Sequence, residues 1–226
     1  MQVHEHRVII VGGGFSGLGV AIRLLAAGIR DFVLLERAEQ LGGTWRENTY
    51  PGCACDVPSQ LYSFSYAPHA WSRVFAPQPE IQRYLLKVAD EHGVMPYVKL
   101  GCALEAARWD DAAQVWQLDT STGPLRARVL VAGLGPLHVP KLPDIPGLDR
   151  FTGEVFHSAR WNHALSLRGR KVAVIGTGSS AIQFVPEIQP QVERLVLFQR
   201  TAPWVLPKPD HVYPRVEQAA FDHLPG

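Results

Sequence analysis

"RVIIVGGGFSGLGVAIRLLAAGIRDFVLLER", residues 7–37, decides the fold. Residues 8–11 are a continuous apolar run rich in β-branched types, the pattern of a strand covered on both faces. Gly12, Gly14 and Gly17 follow at G-x-G-x-x-G spacing. Ala21, Leu24 and Leu25 then recur at helical spacing, and Gly28 is placed to end the helix. Residues 32–35 read as a second strand, with Glu36 at its end. Strand, tight turn, helix, strand is the unit that holds dinucleotides. Gly12 permits the turn, Gly14 lets backbone approach a pyrophosphate, and Gly17 lets the helix pack close to the strand. The helix N-terminus faces the phosphates, and Glu36 can accept hydrogen bonds from a ribose diol.

The unit occurs twice. "KVAVIGTGSSA" (171–181) repeats "RVIIVGGGFSG" (7–17): a basic residue, a four-residue strand, then Gly176-x-Gly178-x-x-Ala181. Internal repetition is a fold-level signal. Residues 195–198 form the next strand, and Arg200 stands as far from Gly176 as Glu36 does from Gly12. An acid there favours a free 2′-hydroxyl and an Arg favours a 2′-phosphate. The first unit is therefore expected to hold FAD or NAD and the second NADPH, with Thr201 adding a hydroxyl to the phosphate. A solvated surface charge is the plainer reading of Arg200.

Composition narrows the class. The chain has 226 residues, 46% hydrophobic and 19% charged, with a formal net charge of +1, so no nucleic-acid-binding surface is expected. No apolar run approaches the roughly 18 residues of a membrane helix. The first strand starts too near Met1 for a targeting segment, and the expected location is cytoplasmic. Cys53, Cys55 and Cys102 make no disulfide framework, and C-x-C is not a C-x-x-C redox pair. No metal site is expected.

Between the two units, residues 41–65 are loop-like and aromatic, too long for a mere connector. Residues 79–92 read as a helix with Ile81, Leu85, Val88 and Ala89 on one face. Residues 102–131 read as three short strands around turns at Asp110-Asp111 and Gly123-Pro124. "VPKLPDIPG" (139–147) is a Pro-rich linker. The expected fold class is α/β. A Rossmann-like first domain (1–138) carries a small three-stranded β insertion. A linker (139–170) leads to the start of a second Rossmann-like domain (171–226).

Two further patterns carry a resemblance. Phe151, Gly153, His157 and Trp161 stand at F-x-G-x-x-x-H-x-x-x-W spacing, followed by Asn162. Gly42, Gly43, Trp45, Tyr50, Pro51, Gly52 and Asp56 form a second array, and "GLGPLHVPKLPDIPG" (133–147) a third. With both glycine turns in this order, the chain resembles the class B flavoprotein monooxygenases, and within them the Baeyer–Villiger monooxygenases. That family usually has Pro or Asp where Asn162 stands.

The resemblance implies an NADPH-reduced FAD that reacts with O2 to a C4a-peroxyflavin, which inserts one oxygen atom into a ketone. It implies flavin contacts from Ser16, Gly43, Thr44, Trp45, Tyr62 and Leu104. It puts Asp56 near the flavin, paired with an active-site Arg, though Asp56 also suits a turn before Pro58. It implies NADP contacts from Thr177, Gly178, Ser179, Ser180 and Gln183, beside Gly176. His157 and Trp161 would couple domain movement to the catalytic cycle; a His bonding local backbone and a core Trp are the structural alternative. The family's Arg comes from a later segment, so the chain is expected to be a fragment, a truncated product or half of a split enzyme, inactive alone. Nitrogen or sulfur oxygenation, or a non-catalytic nucleotide-binding half, are the alternatives.

Overall fold

A computed structural model describes residues 4–221. The elements in chain order are β1 (His4–Val11), α1 (Phe15–Ala26), β2 (Phe32–Leu35), α2 (Thr44–Glu47), α3 (Gln78–Glu91), β3 (Val98–Lys99), β4 (Leu104–Asp110), β5 (Val115–Thr120), β6 (Leu125–Ala132), β7 (Lys171–Ile175), α4 (Ser179–Ile188), β8 (Arg194–Phe198) and α5 (Arg215–Phe221). The chain divides into two compact units. One comprises the chain up to Arg46 with Gln82–His138; the other comprises Glu47–Ile81 with the chain from Val139 onward. Residues 47–81, assigned from sequence to the first domain, thus belong to the second compact unit.

The first unit is built on a six-stranded sheet of order β3-β2-β1-β6-β5-β4. β1 pairs in parallel with both β2 and β6, which is why residues 8–11 are apolar on both faces. Ile9 and Val11 join Leu35, Leu118, Leu125 and Ala127 in one core cluster. Ile10 lies on the other side, against the start of α1. Leu18, Ala21 and Ile22 of α1 are buried. Leu18 and Ile22 each contribute about 1.5–3 kcal/mol on removal from water, and the single methyl of Ala21 about 0.8 kcal/mol.

The α/β class and the strands expected over residues 102–131 are present. These strands do not stand apart as an insertion. β6 runs beside β1, and β5 and β4 extend the same sheet antiparallel. The helix expected over 79–92 is α3, and Ile81, Leu85, Val88 and Ala89 are all buried.

In the second unit, β7 and β8 pair in parallel with α4 between them in sequence. The stretch 41–65 is less irregular than its composition suggests. It holds α2, a 3-10 turn at Ser59–Tyr62, and an extended stretch around Ala54 bridged antiparallel to Pro77. Among the described residues, no helix is long and apolar enough to cross a membrane, and no group of three or more His, Cys, Asp or Glu could hold a metal ion.

Candidate functional site

The first glycine turn is closed by packing. Gly12 has φ +103°, and a Cβ there would lie 2.4 Å from the carbonyl oxygen of Gly133. A Cβ on Gly17 would lie 1.9 Å from the Gly12 carbonyl oxygen. Neither position admits a side chain. Gly133 follows β6, and its N–H donates to the Val11 carbonyl (2.8 Å), so the end of a distant strand forms one wall of the turn. Sequence reasoning did not single out Gly133. The available signal was a glycine directly after an apolar strand.

Gly14 is the N-cap of α1, with no side-chain cap and no acid in the first turn, leaving the helix N-terminus open to an anion. Ser16 is exposed in that first turn. Gly43 comes down onto Gly14, and the Gly42 N–H donates to the Gly13 carbonyl (2.8 Å). Thr44 and Trp45 follow at once in α2. Leu104 opens β4 and packs against the cluster that contains Val11, Leu35 and Cys102.

Glu36 is buried, and both its carboxylate oxygens are held. The Gly13 N–H donates to Oε2 (2.7 Å) and the Ala38 N–H to Oε1 (3.0 Å). Each oxygen keeps a lone pair for a further donor. A fixed carboxylate beside an open helix N-terminus fits the ribose and pyrophosphate of a dinucleotide with a free 2′-hydroxyl. The structure thus unites Gly12, Gly14, Gly17, Glu36 and Gly43 around one turn.

The second turn has the same design with one correction. Gly178 caps α4 without a side-chain cap, and the first turn of α4 has no acid. Gly176 has φ +106°, and a Cβ there would meet nothing within 4 Å. Ala181, in the place of Gly17, is buried. The strand ladders, however, are offset by one residue between repeats. The Gly12 N–H donates to Leu35 O (2.8 Å), whereas the Gly176 N–H donates to Phe198 O (3.0 Å). Gln199, not Arg200, therefore occupies the place of Glu36, and Arg200 comes one residue later. Gln199 also reaches the residue after the first glycine, but as a donor: its Nε2 donates to Thr177 Oγ1 (3.3 Å), whereas Glu36 accepts from the Gly13 N–H. The exposed Arg200 and Thr201 follow at the open end of β8.

Asp56, Tyr62 and the 151–161 array lie in the second unit. Asp56 is exposed, and its Oδ1 accepts a hydrogen bond from Gln183 Nε2 of α4 (2.6 Å). Tyr62 ends the 3-10 turn, and burial raises its hydroxyl pKa. His157 caps the 3-10 turn Ser158–Arg160, its Nδ1 accepting from the Ala159 N–H (3.1 Å). Trp161 packs edge-on to Phe156 and against Phe184 of α4 (centroids 5.3 and 5.2 Å). Phe184 in turn meets Tyr50. Arg160 pairs with Glu47, and His163 Nε2 lies 2.8 Å from Thr49 Oγ1. The stretch 156–163, α4 and the loop 47–56 therefore form one packed cluster. Phe151 is exposed, with Gly153 beside its ring.

All three cysteines are buried and free. Burial pushes the Cys53 thiol up to about 11 and raises that of Cys55 too, so neither is a ready thiolate at neutral pH.

Comparison with known proteins decides the family. Residues 5–217 match the model of the flavin-binding monooxygenase-like family. The chain belongs to that family. It is 55% identical over its whole length to a Baeyer–Villiger monooxygenase of Streptomyces coelicolor and 48% identical over 97% of its length to one of Pseudomonas aeruginosa. It spans only 44% and 42% of those two proteins. Among solved structures, a cyclohexanone monooxygenase superposes with a TM-score of 0.91 at 33% identity, over 96% of this chain and 44% of that one. A steroid monooxygenase bound to NADP gives 0.88 at 37%, over 96% and 43%. This flavin-binding monooxygenase-like chain thus matches somewhat under half the length of each.

Proposed function

We propose that the chain is the nucleotide-binding part of an FAD- and NADPH-dependent monooxygenase that inserts one atom of O2 into a ketone. The paired turns carry this reading: one ends in a held carboxylate, the other in an amide followed by a cation. Gly12, Gly14, Ser16, Gly17 and Glu36 would hold the FAD, with Gly43, Thr44, Trp45, Tyr62 and Leu104 as further contacts. Gly176 to Ser180, Arg200 and Thr201 would hold NADPH. Bound FAD supplies hydride acceptance and O2 activation; the protein binds, orients and excludes water. The catalytic role proposed for Asp56 is to hold a cation in place beside the flavin. The rest of the catalytic machinery would come from further chain or a separate polypeptide, in keeping with the greater length of the relatives.

Replacing the carboxylate by Gln199 removes a charge that would repel a 2′-phosphate, and Arg200 adds one that attracts it. Arg200→Ala is expected to weaken NADPH about tenfold and leave NADH little changed, as read by KM in the assembled enzyme. Gln199→Glu should shift preference toward NADH. Equal losses for both cofactors would sink the 2′-phosphate role. Asp56→Ala should slow ketone oxygenation about tenfold or more while FAD stays bound. Lactone formation at the parent rate would make Asp56 merely structural. Product analysis with a cyclic ketone tests the whole reading; turnover of thioethers alone would point to a heteroatom oxygenase.

A further inference from the structure

The side-chain amide of Gln183 is fully used within the second unit. Its Oε1 accepts from the Ala54 N–H (3.1 Å) and the Tyr50 hydroxyl (3.2 Å). Its Nε2 donates to the Ala54 carbonyl (3.0 Å) and to Asp56 Oδ1 (2.6 Å). That is two acceptor sites and both N–H bonds, the whole capacity of the group. The orientation is unambiguous: Ala54 presents a donor to one end and an acceptor to the other, and a flipped amide would lose both.

The contacts have a pattern. The Cys53 carbonyl accepts from the Gln78 N–H (2.8 Å), and the Cys55 N–H donates to Ala76 O (3.1 Å), so one edge of this stretch is paired with main chain. The Cys53 N–H reaches Tyr50 O (3.1 Å), and Lys208 Nζ donates to Cys55 O (2.7 Å). Ala54 points its two polar groups to the opposite edge, where no strand lies among the described residues. Gln183 stands there as a one-residue strand partner. Every main-chain polar group of residues 53–55 is thereby satisfied. The remaining N–H of the same amide then fixes the carboxylate of the next residue.

We propose that Gln183 is a positioning residue for Asp56, holding the stretch that carries it and orienting its carboxylate, rather than a group that binds nucleotide. The amide has no capacity for a nucleotide without releasing Ala54 or Asp56. Gln183 lies one turn into α4, beyond the Gly176–Ser180 turn, so the second glycine turn and Asp56 share one support. The functional weight of this role rests on the reading of Asp56 given above; the geometry does not, and the test needs no cofactor.

The test is amide hydrogen exchange on the full 226-residue chain, with melting temperature measured alongside. Gln183→Met keeps length and loses all four bonds. Exchange at Ala54 should rise about tenfold or more, well above the rise elsewhere in the chain, with a fall in melting temperature of only a few degrees. Gln183→Glu keeps the acceptor for the Ala54 N–H but sets a carboxylate against Asp56 and the Ala54 carbonyl, and should raise exchange across residues 53–56 above the parent. Adding Asp56→Asn to Gln183→Glu restores a donor and should reverse most of that rise. Unchanged exchange at Ala54 in Gln183→Met overturns the proposal. So does a uniform rise across the whole chain, or a Gln183→Glu effect that Asp56→Asn does not relieve. Failure of NADP+ to bind the assembled enzyme would count against the proposed function and leave these exchange outcomes readable.

Discussion

Gly17→Ala should lower the melting temperature of the chain by roughly 6–12 °C and abolish FAD binding at the first turn. The size follows from overpacking that relaxation cannot relieve, about 3 kcal/mol in a chain of this size. The added methyl would lie 1.9 Å from the Gly12 carbonyl oxygen, and Gly12 has no room to retreat because Gly133 backs it. The control is the second turn. Ala181 already carries the methyl there, and nothing lies within 4 Å of a Cβ on Gly176, so that turn has space to adjust. Ala181→Gly should cost only about 1 kcal/mol, the ordinary penalty of a helical glycine. A thermal scan of the two variants checks the pair. Gly17→Ala melting with the parent would mean that the turn is not closed by packing.

The chain purified alone should self-associate at micromolar concentration, retain FAD poorly and form no lactone above background. Among the described residues, the second sheet has only β7 and β8. Ile175, Val196, Leu197 and Phe198 on these strands are exposed, and Trp204 and Leu206 beyond them are 99% and 83% exposed. Apolar surface of this extent on two unpaired strand edges drives association. Sedimentation velocity reads it, and Trp204→Ser with Leu206→Ser should reduce it. The second reason to expect no turnover is the proposal above that the rest of the catalytic machinery comes from other polypeptide. A yellow, monomeric chain that makes lactone from a ketone and NADPH would overturn this expectation. Activity that returns only on adding a separate polypeptide would identify a split enzyme.

How much was legible follows from the range of the interactions. β1, the first turn, α1 and β2 were readable because G-x-G-x-x-G between a β-branched run and a helical period is local and rigid in spacing. α3 was readable from Ile81, Leu85, Val88 and Ala89 for the same reason. The partner of β1 was not. β6 reaches it from more than a hundred residues away, and a hydrophobic run does not name its neighbour. β3 is two residues long, too short for any period. The offset that brings Gln199 into the place of Glu36 was hidden in a helix–strand connection. α1 has 12 residues and α4 has 10, followed by a 3-10 turn at Gln189–Gln191, and counting along the sequence cannot see a shorter connection. The bonds of Gln183 to Ala54 and Asp56 were not legible either, because they depend on a fold in which residues 54 and 183 meet.

The central claim is that the chain carries two separate nucleotide sites of opposite 2′ preference. Titration of the assembled enzyme, as parent, Gly17→Ala and Arg200→Ala, with FAD, NADP+ and NAD+, read by calorimetry, tests it most directly. Gly17→Ala is expected to lose FAD and keep NADP+. Arg200→Ala is expected to keep FAD and lose most of its preference for NADP+ over NAD+. A parent enzyme that binds NAD+ as tightly as NADP+, or one substitution that removes both nucleotides at once, would contradict it.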